Sequence, residues 1–162
     1  MMSDAPRGLS LPVHRLIREN VSILLTHAFS REPLRRFRTG FVGESWDNLD
    51  ETVFGMGAQR AEKAALELAL LLRYLDDEQA VSDQVKARIN FGFGRLFLKD
   101  GTAEELSLRE VTNKIIHAVS FDWNHADLDR PKLVCNSRDN ERWVRAEIEL
   151  IFLAAVCGNF AG

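Results

Sequence analysis

No stretch of about 18 uncharged apolar residues occurs in this chain, so no helix is expected to span a bilayer. Cysteine is scarce: Cys135 and Cys157 are the only two, and neither a CxxC spacing nor a disulfide framework surrounds them. Both are read as reduced thiols, Cys157 as a small core residue. The opening residues MMSDAPRGLSLPVHRL lack a basic start followed by an apolar run. A secretory signal is therefore not expected, and the reading is a cytoplasmic protein with residues 1–9 flexible. An excess of positive charge is missing too. The 21 Lys and Arg stand against 24 Asp and Glu, a formal net charge of -3, so bulk charge alone would not hold the protein to nucleic acid.

Chemical motifs are equally sparse. GMG at 55–57 and GFG at 92–94 lack the further glycines and the lysine of a phosphate-binding loop, and no GxSxG elbow appears. Neither an internal repeat nor a low-complexity tract is present. What is present is an ordinary globular composition, 46% hydrophobic and 28% charged over 162 residues. That suits one helical domain over 1–162.

Helical periodicity dominates. Val13, Leu16, Ile17, Val21, Leu24 and Ala28 predict an amphipathic helix over 11–29. Ser30 to Arg38 (SREPLRRFR) reads as a short second helix or turn, with Pro33 in its first turn, and 40–57 as an irregular connection. AQRAEKAALELALLLRYLDD predicts a helix over 58–77 with Ala61, Ala64, Ala65, Leu68, Leu71, Leu72 and Leu75 on one stripe. Leu66, Ala69 and Leu70 carry apolarity most of the way round, so this helix is expected to be central, with little solvated face. Ser82 could cap a helix over 83–90, and FGFGRLFLKDG reads as extended, ending in an Asp-Gly turn.

In ELSLREVTNKIIHA, Ser107 and Glu110 have capping-box spacing, which starts a helix at Leu108. Val119, Phe121 and Trp123 alternate with polar residues as in a half-buried strand. NHADLDRP makes a turn, and KLVCN (132–136) returns as the second strand of a hairpin. Asp139 or Asn140 would cap a last helix whose stripe is Val144, Ile148, Ile151, Phe152 and Ala155. The fold expected is mainly α, a helical bundle with a small β-hairpin or sheet inserted before the last helix.

The candidate chemistry centres on His117. On a helix starting at Leu108, Leu108, Val111 and Ile115 form the core stripe, while Arg109, Asn113 and His117 recur at four-residue steps on another side. Asn113 could fix the tautomer of His117, which a general acid or base needs. The structural alternative is a histidine stabilised by the negative end of a helix. Arg109, Asn113 and His117 on one late helix resemble the HEPN superfamily. The resemblance implies a compact helical bundle, dimerisation across that helix and, in active members, metal-free RNA cleavage in toxin and phage-defence systems. It would make His117 the general acid or base, Arg109 the phosphate contact and Asn113 the polar member. The spacing from Arg109 to His117 is longer than the family pattern. On one ideal helix the two stand roughly 12 Å apart along the axis and about 80° around it. Lys114 is the alternative cation.

Two further stretches carry charge in patterns that could bind a ligand. REPLRRFR brings Arg31, Arg35, Arg36 and Arg38 together with Phe37, a pattern suited to RNA phosphates and base stacking. Its bland counterpart is a solvated face paired with Glu32 and Glu44. DWNHADLD offers Asp122, His125, Asp127 and Asp129, but not the glycine and terminal glutamate of a calcium loop, and it is read as a solvated acidic turn with no metal. No cofactor is called for. The leading functional reading is a non-catalytic, HEPN-like interaction module or oligomerising protein, a homodimer or the binder of a protein partner, away from membranes. The alternative is a metal-independent ribonuclease or RNA-binding protein.

Overall fold

The computed structural model describes residues 12–40, 50–138 and 142–160. The expectations placed on 1–9, on 41–49 with Glu44, and on the Asp139 or Asn140 cap lie outside them. Helix α1 runs Val13–Thr39, a π-helical stretch Asp50–Met56 leads into α2 at Gly57–Gln79, and α3 follows at Val81–Arg88. Strands β1 (Gly94–Leu98) and β2 (Ala103–Glu105) precede α4 (Leu108–Ile116), then come β3 (Ser120–Asn124), β4 (Lys132–Asn136), β5 (Trp143–Glu149) and α5 (Leu150–Phe160). The fold is mainly helical with one five-stranded antiparallel sheet, ordered β2-β1-β5-β4-β3. Among the described residues no helix is long and apolar enough to cross a membrane.

One core joins these elements. α1 packs on α2, α5 on α1, and α4 on both α2 and β5. Ile17, Leu68, Val111, Leu133, Ile148 and Leu153 are all buried within a single cluster. Each such side chain contributes about 1.5–3 kcal/mol by leaving water. Cys135 and Cys157 are buried and unpaired, and burial pushes both thiols up to about 12, which leaves them as inert core residues.

The capping box is present as read. The Ser107 Oγ accepts from the Glu110 amide at 3.3 Å and the Glu110 carboxylate accepts from the Ser107 amide at 2.8 Å, so α4 starts at Leu108. Replacing Ser107 by Ala should cost about 1 kcal/mol, read as a lower urea midpoint at unchanged slope. A neutral result would mean that packing on α2 alone starts this helix. The hairpin also stands where alternation put it, with Ser120 to Asn124 paired against Asn136 to Lys132.

Four expectations are corrected. SREPLRRFR does not start a second helix: α1 continues through Pro33 to Thr39. The Ser30 hydroxyl donates back to the His27 carbonyl at 3.4 Å instead of capping a new turn. Ser82 is not the cap of α3. Ala80, at φ 50°, turns the chain between α2 and α3, and the Ser82 amide donates to the Asp76 carboxylate at 2.7 Å, so the cap comes from the preceding helix.

The last helix starts at Leu150 rather than near 140, because 143–149 is the central strand of the sheet, bonded to β1 and β4. The register slips so that Val144 has no partner between the Phe97–Arg145 and Leu98–Trp143 pairs, a bulge that breaks strand alternation. Finally, α2 is not apolar-buried all round: Leu66 and Leu70 face solvent.

Candidate functional site

The α4 ridge divides between two ends of its helix. Arg109, in the first turn, reaches back to the end of α2, where its Nη1 lies 2.6 Å from Asp76 Oδ2 and 3.9 Å from Asp77 Oδ1. It borders an open groove of about 580 Å³ between α3 and the start of α4, with Lys86, Phe91 and Glu105. His117 closes the other end. Its amide donates to the Asn113 carbonyl at 3.1 Å and its side chain is exposed. Among the described residues no hydrogen bond or ion pair reaches the ring, so the expected Asn113–His117 side-chain bond is not formed.

Lys114 is engaged as well: its Nζ sits 4.8 Å from the centre of the Trp143 ring on β5. Each candidate cation thus has a structural contact, Arg109 on α2 and Lys114 on the sheet. The arrangement ties α4 to its neighbours.

The arginines of α1 are distributed in the same way. Arg35 donates twice to Glu32 Oε2, at 3.0 and 2.8 Å, and Arg38 pairs with Asp50 at 2.5 Å. The Arg35 bonds lower the Glu32 pKa against the opposing effect of burial. Arg31 is half-buried one turn from His27, while Arg36 and Phe37 lie on the exposed side. Arg35 is thus paired with an acid of its own helix and Arg38 with one of the π-helical stretch.

Three polar side chains of DWNHADLD are engaged within the protein. Asp122 accepts from Asn136 at 2.8 Å, Asp127 accepts from the Asp129 amide at 3.0 Å, and His125 Nε2 donates to the Ala28 carbonyl at 2.8 Å. Among the described residues no three His, Cys, Asp or Glu side chains gather so as to hold a metal.

That last bond exposes a cluster the sequence reading missed. His27 is buried in the middle of α1, edge-on to Trp123 at 4.7 Å between ring centres. Burial, then Arg31 and His125, hold its pKa below the ordinary 6.5, so it is the neutral form that packs there. His27 Nε2, Trp123 Nε1 and His125 Nδ1 are buried without partners among the described residues. A pocket of about 260 Å³ adjoins His27, lined also by Ser22, Thr26, Ser30, Gly57 and Arg60. His27 was legible as a polar residue beside Leu24 and Ala28 on the apolar stripe of α1, but nothing local links it to His125.

The outer face of α2 is the other missed feature. Leu66, Leu70 and Tyr74 stand one turn apart and are 39%, 51% and 50% exposed, in a row along a helix whose inner face fills the core. Charged pairs flank the row, Lys63 with Glu67 at 3.6 Å and Arg73 with Asp77 at 3.7 Å. The result is an exposed apolar row rimmed by charges of both signs. No protein-family model, curated protein or solved structure matches this chain.

Proposed function

We propose that this protein is a non-catalytic interaction module that binds a protein partner through the outer face of α2. The observation that carries this reading is the exposed Leu66, Leu70 and Tyr74 row. Three large side chains left in water on one rigid helix cost hydration free energy that a partner's surface recovers, at roughly 25 cal/mol per Å² buried. A helix anchored along its whole inner face offers that row already ordered, so little entropy is lost on docking.

The HEPN-like ribonuclease reading makes a different demand. It needs a cation beside His117 to stabilise a pentavalent phosphate, and a free face for RNA. Arg109 is held by Asp76, and Lys114 lies over Trp143. Freeing either would mean giving up a contact that fastens α4.

The two readings part on one assay. Wild type and His117→Ala, both shown to be folded, are incubated with a mixed labelled RNA pool in EDTA. The interaction module leaves the pool intact in both. Cutting by wild type that disappears in His117→Ala would overturn it and place a metal-free nuclease on α4.

A further inference from the structure

We infer that the occupant of the α2 face is a second copy of this chain, docked antiparallel about a two-fold axis at Leu70. The inference rests on the interaction-module reading and names its partner. The argument is the charge order along the face. From N- to C-terminus it runs Lys63, Leu66, Glu67, Leu70, Arg73, Tyr74, Asp77, and every member has its counterpart at equal distance on the other side of Leu70.

An antiparallel copy centred there brings Leu70 onto itself. Leu66 comes level with Tyr74 of the other copy, Lys63 with Asp77, and Glu67 with Arg73. Lys63 then meets Asp77 near the middle of the seam as cation and anion, and Leu66, Leu70 and Tyr74 make up its apolar centre. A parallel copy in register would set Lys63 against Lys63 and Asp77 against Asp77, which is repulsive at each charged level. The sequence of this face is therefore self-complementary in one orientation only, the requirement of an isologous interface.

The geometry of the helix permits it. Leu66 and Tyr74 lie about 40° to either side of Leu70, and Lys63 and Asp77 about 20° to either side, so these four border one seam with Leu70, while Glu67 and Arg73, about 60° out, lie on its opposite edges. Lys63 and Glu67 can change partners, and Asp77 is held only by longer contacts of 3.7 Å to Arg73 and 3.9 Å to Arg109. Lys63 and Glu67 are 77% and 47% exposed, and at 3.6 Å their intrachain pair contributes little in water.

One helical face is smaller than the roughly 800 Å² per partner of a standard interface, so the pairing is weak and concentration-dependent.

Sedimentation across a dilution series reaching about 500 μM tests this, with circular dichroism as a check that each variant is folded. Wild type is expected to pass from monomer to dimer. Leu70→Glu, which sets two carboxylates against each other on the axis, is expected to weaken association at least about 100-fold. Lys63→Glu and Asp77→Lys should each weaken it about tenfold, and together restore it to within about threefold, because the swapped pair is again complementary.

A wild type that stays monomeric throughout overturns the second copy as occupant while leaving the interaction module standing for a different partner. A Leu70→Glu variant that dimerises as well as wild type overturns this surface. Failure of the double charge swap to recover overturns the antiparallel arrangement. Only His117-dependent RNA cutting brings down the module reading itself.

Discussion

Gly94→Ala is expected to lower the stability of the folded state by more than about 4 kcal/mol, a large part of the 5–15 kcal/mol typical of a whole domain. Gly94 opens β1 at φ 139°, a conformation that L side chains rarely adopt. A Cβ built there would stand 1.9 Å from the Glu147 carbonyl oxygen, which is backbone and cannot swing aside. The site is crowded because three segments meet at it: the Glu149 amide donates to Phe93, the Leu106 amide donates to Gly94, and Gly94 pairs with Ile148 on β5.

Relief would require β1 to separate from β5, and that would cost sheet hydrogen bonds as well as conformational strain. Two other glycines separate the terms. Gly101 has φ 86° but nothing within 4 Å of its Cβ position, so Gly101→Ala reports backbone strain alone, about 1 kcal/mol. Gly158 lies within α5 with open space around it, and Gly158→Ala should stabilise by about 0.5–1 kcal/mol. Urea unfolding of the three variants gives the ordering. Equal losses at Gly94 and Gly101 would mean that β1 yields easily and the close approach carries no weight.

Legibility in the sequence followed the range of the forces involved. Ser107 and Glu110 are three residues apart, and β3 and β4 are joined by one turn, so both were readable from local spacing. β5 was not. WVRAEIEL carries Arg, Ala and Glu, all good helix formers, and its strand state comes from filling the gap between β1 and β4, with Trp143, Ala146 and Ile148 turned to the core. The bulge at Val144 removed the alternation that would have signalled it.

Composition likewise could not tell which side of an Ala- and Leu-rich helix stays wet. Leu68 and Leu70 look alike in the sequence, yet one is fully buried and the other half exposed. Arg109 was assigned to a ridge with His117 because helical spacing was all the sequence supplied. Its actual partner, Asp76, is 33 residues away.

Asp76→Ala should then be the most costly polar substitution at the junction of α2, α3 and α4, at about 3 kcal/mol. Its side chain is only 7% exposed and accepts both the Ser82 amide and the Arg109 guanidinium. Burial alone would raise its pKa. The bonds from Ser82 and Arg109 outweigh burial and hold it below the ordinary 3.8. The folded protein therefore keeps this carboxylate charged where the unfolded chain has begun to protonate. Its stabilisation is complete above the unfolded value and is lost as pH falls through the lower folded one.

Asp76→Asn should cost less than Ala and flatten the acid limb below about pH 4. His27 acts in a separate window, since its depressed pKa means stability lost as pH falls below 6.5. Arg109 is half exposed, so Arg109→Ala should cost only about 1 kcal/mol after allowance for screening by water. A double-mutant cycle between Asp76→Ala and Arg109→Ala measures what the pair shares. A coupling close to the whole Arg109 effect makes the arginine a structural tie. A coupling near zero would mean that the fold does not need the guanidinium at Asp76, and would return Arg109 to consideration as a contact for phosphate.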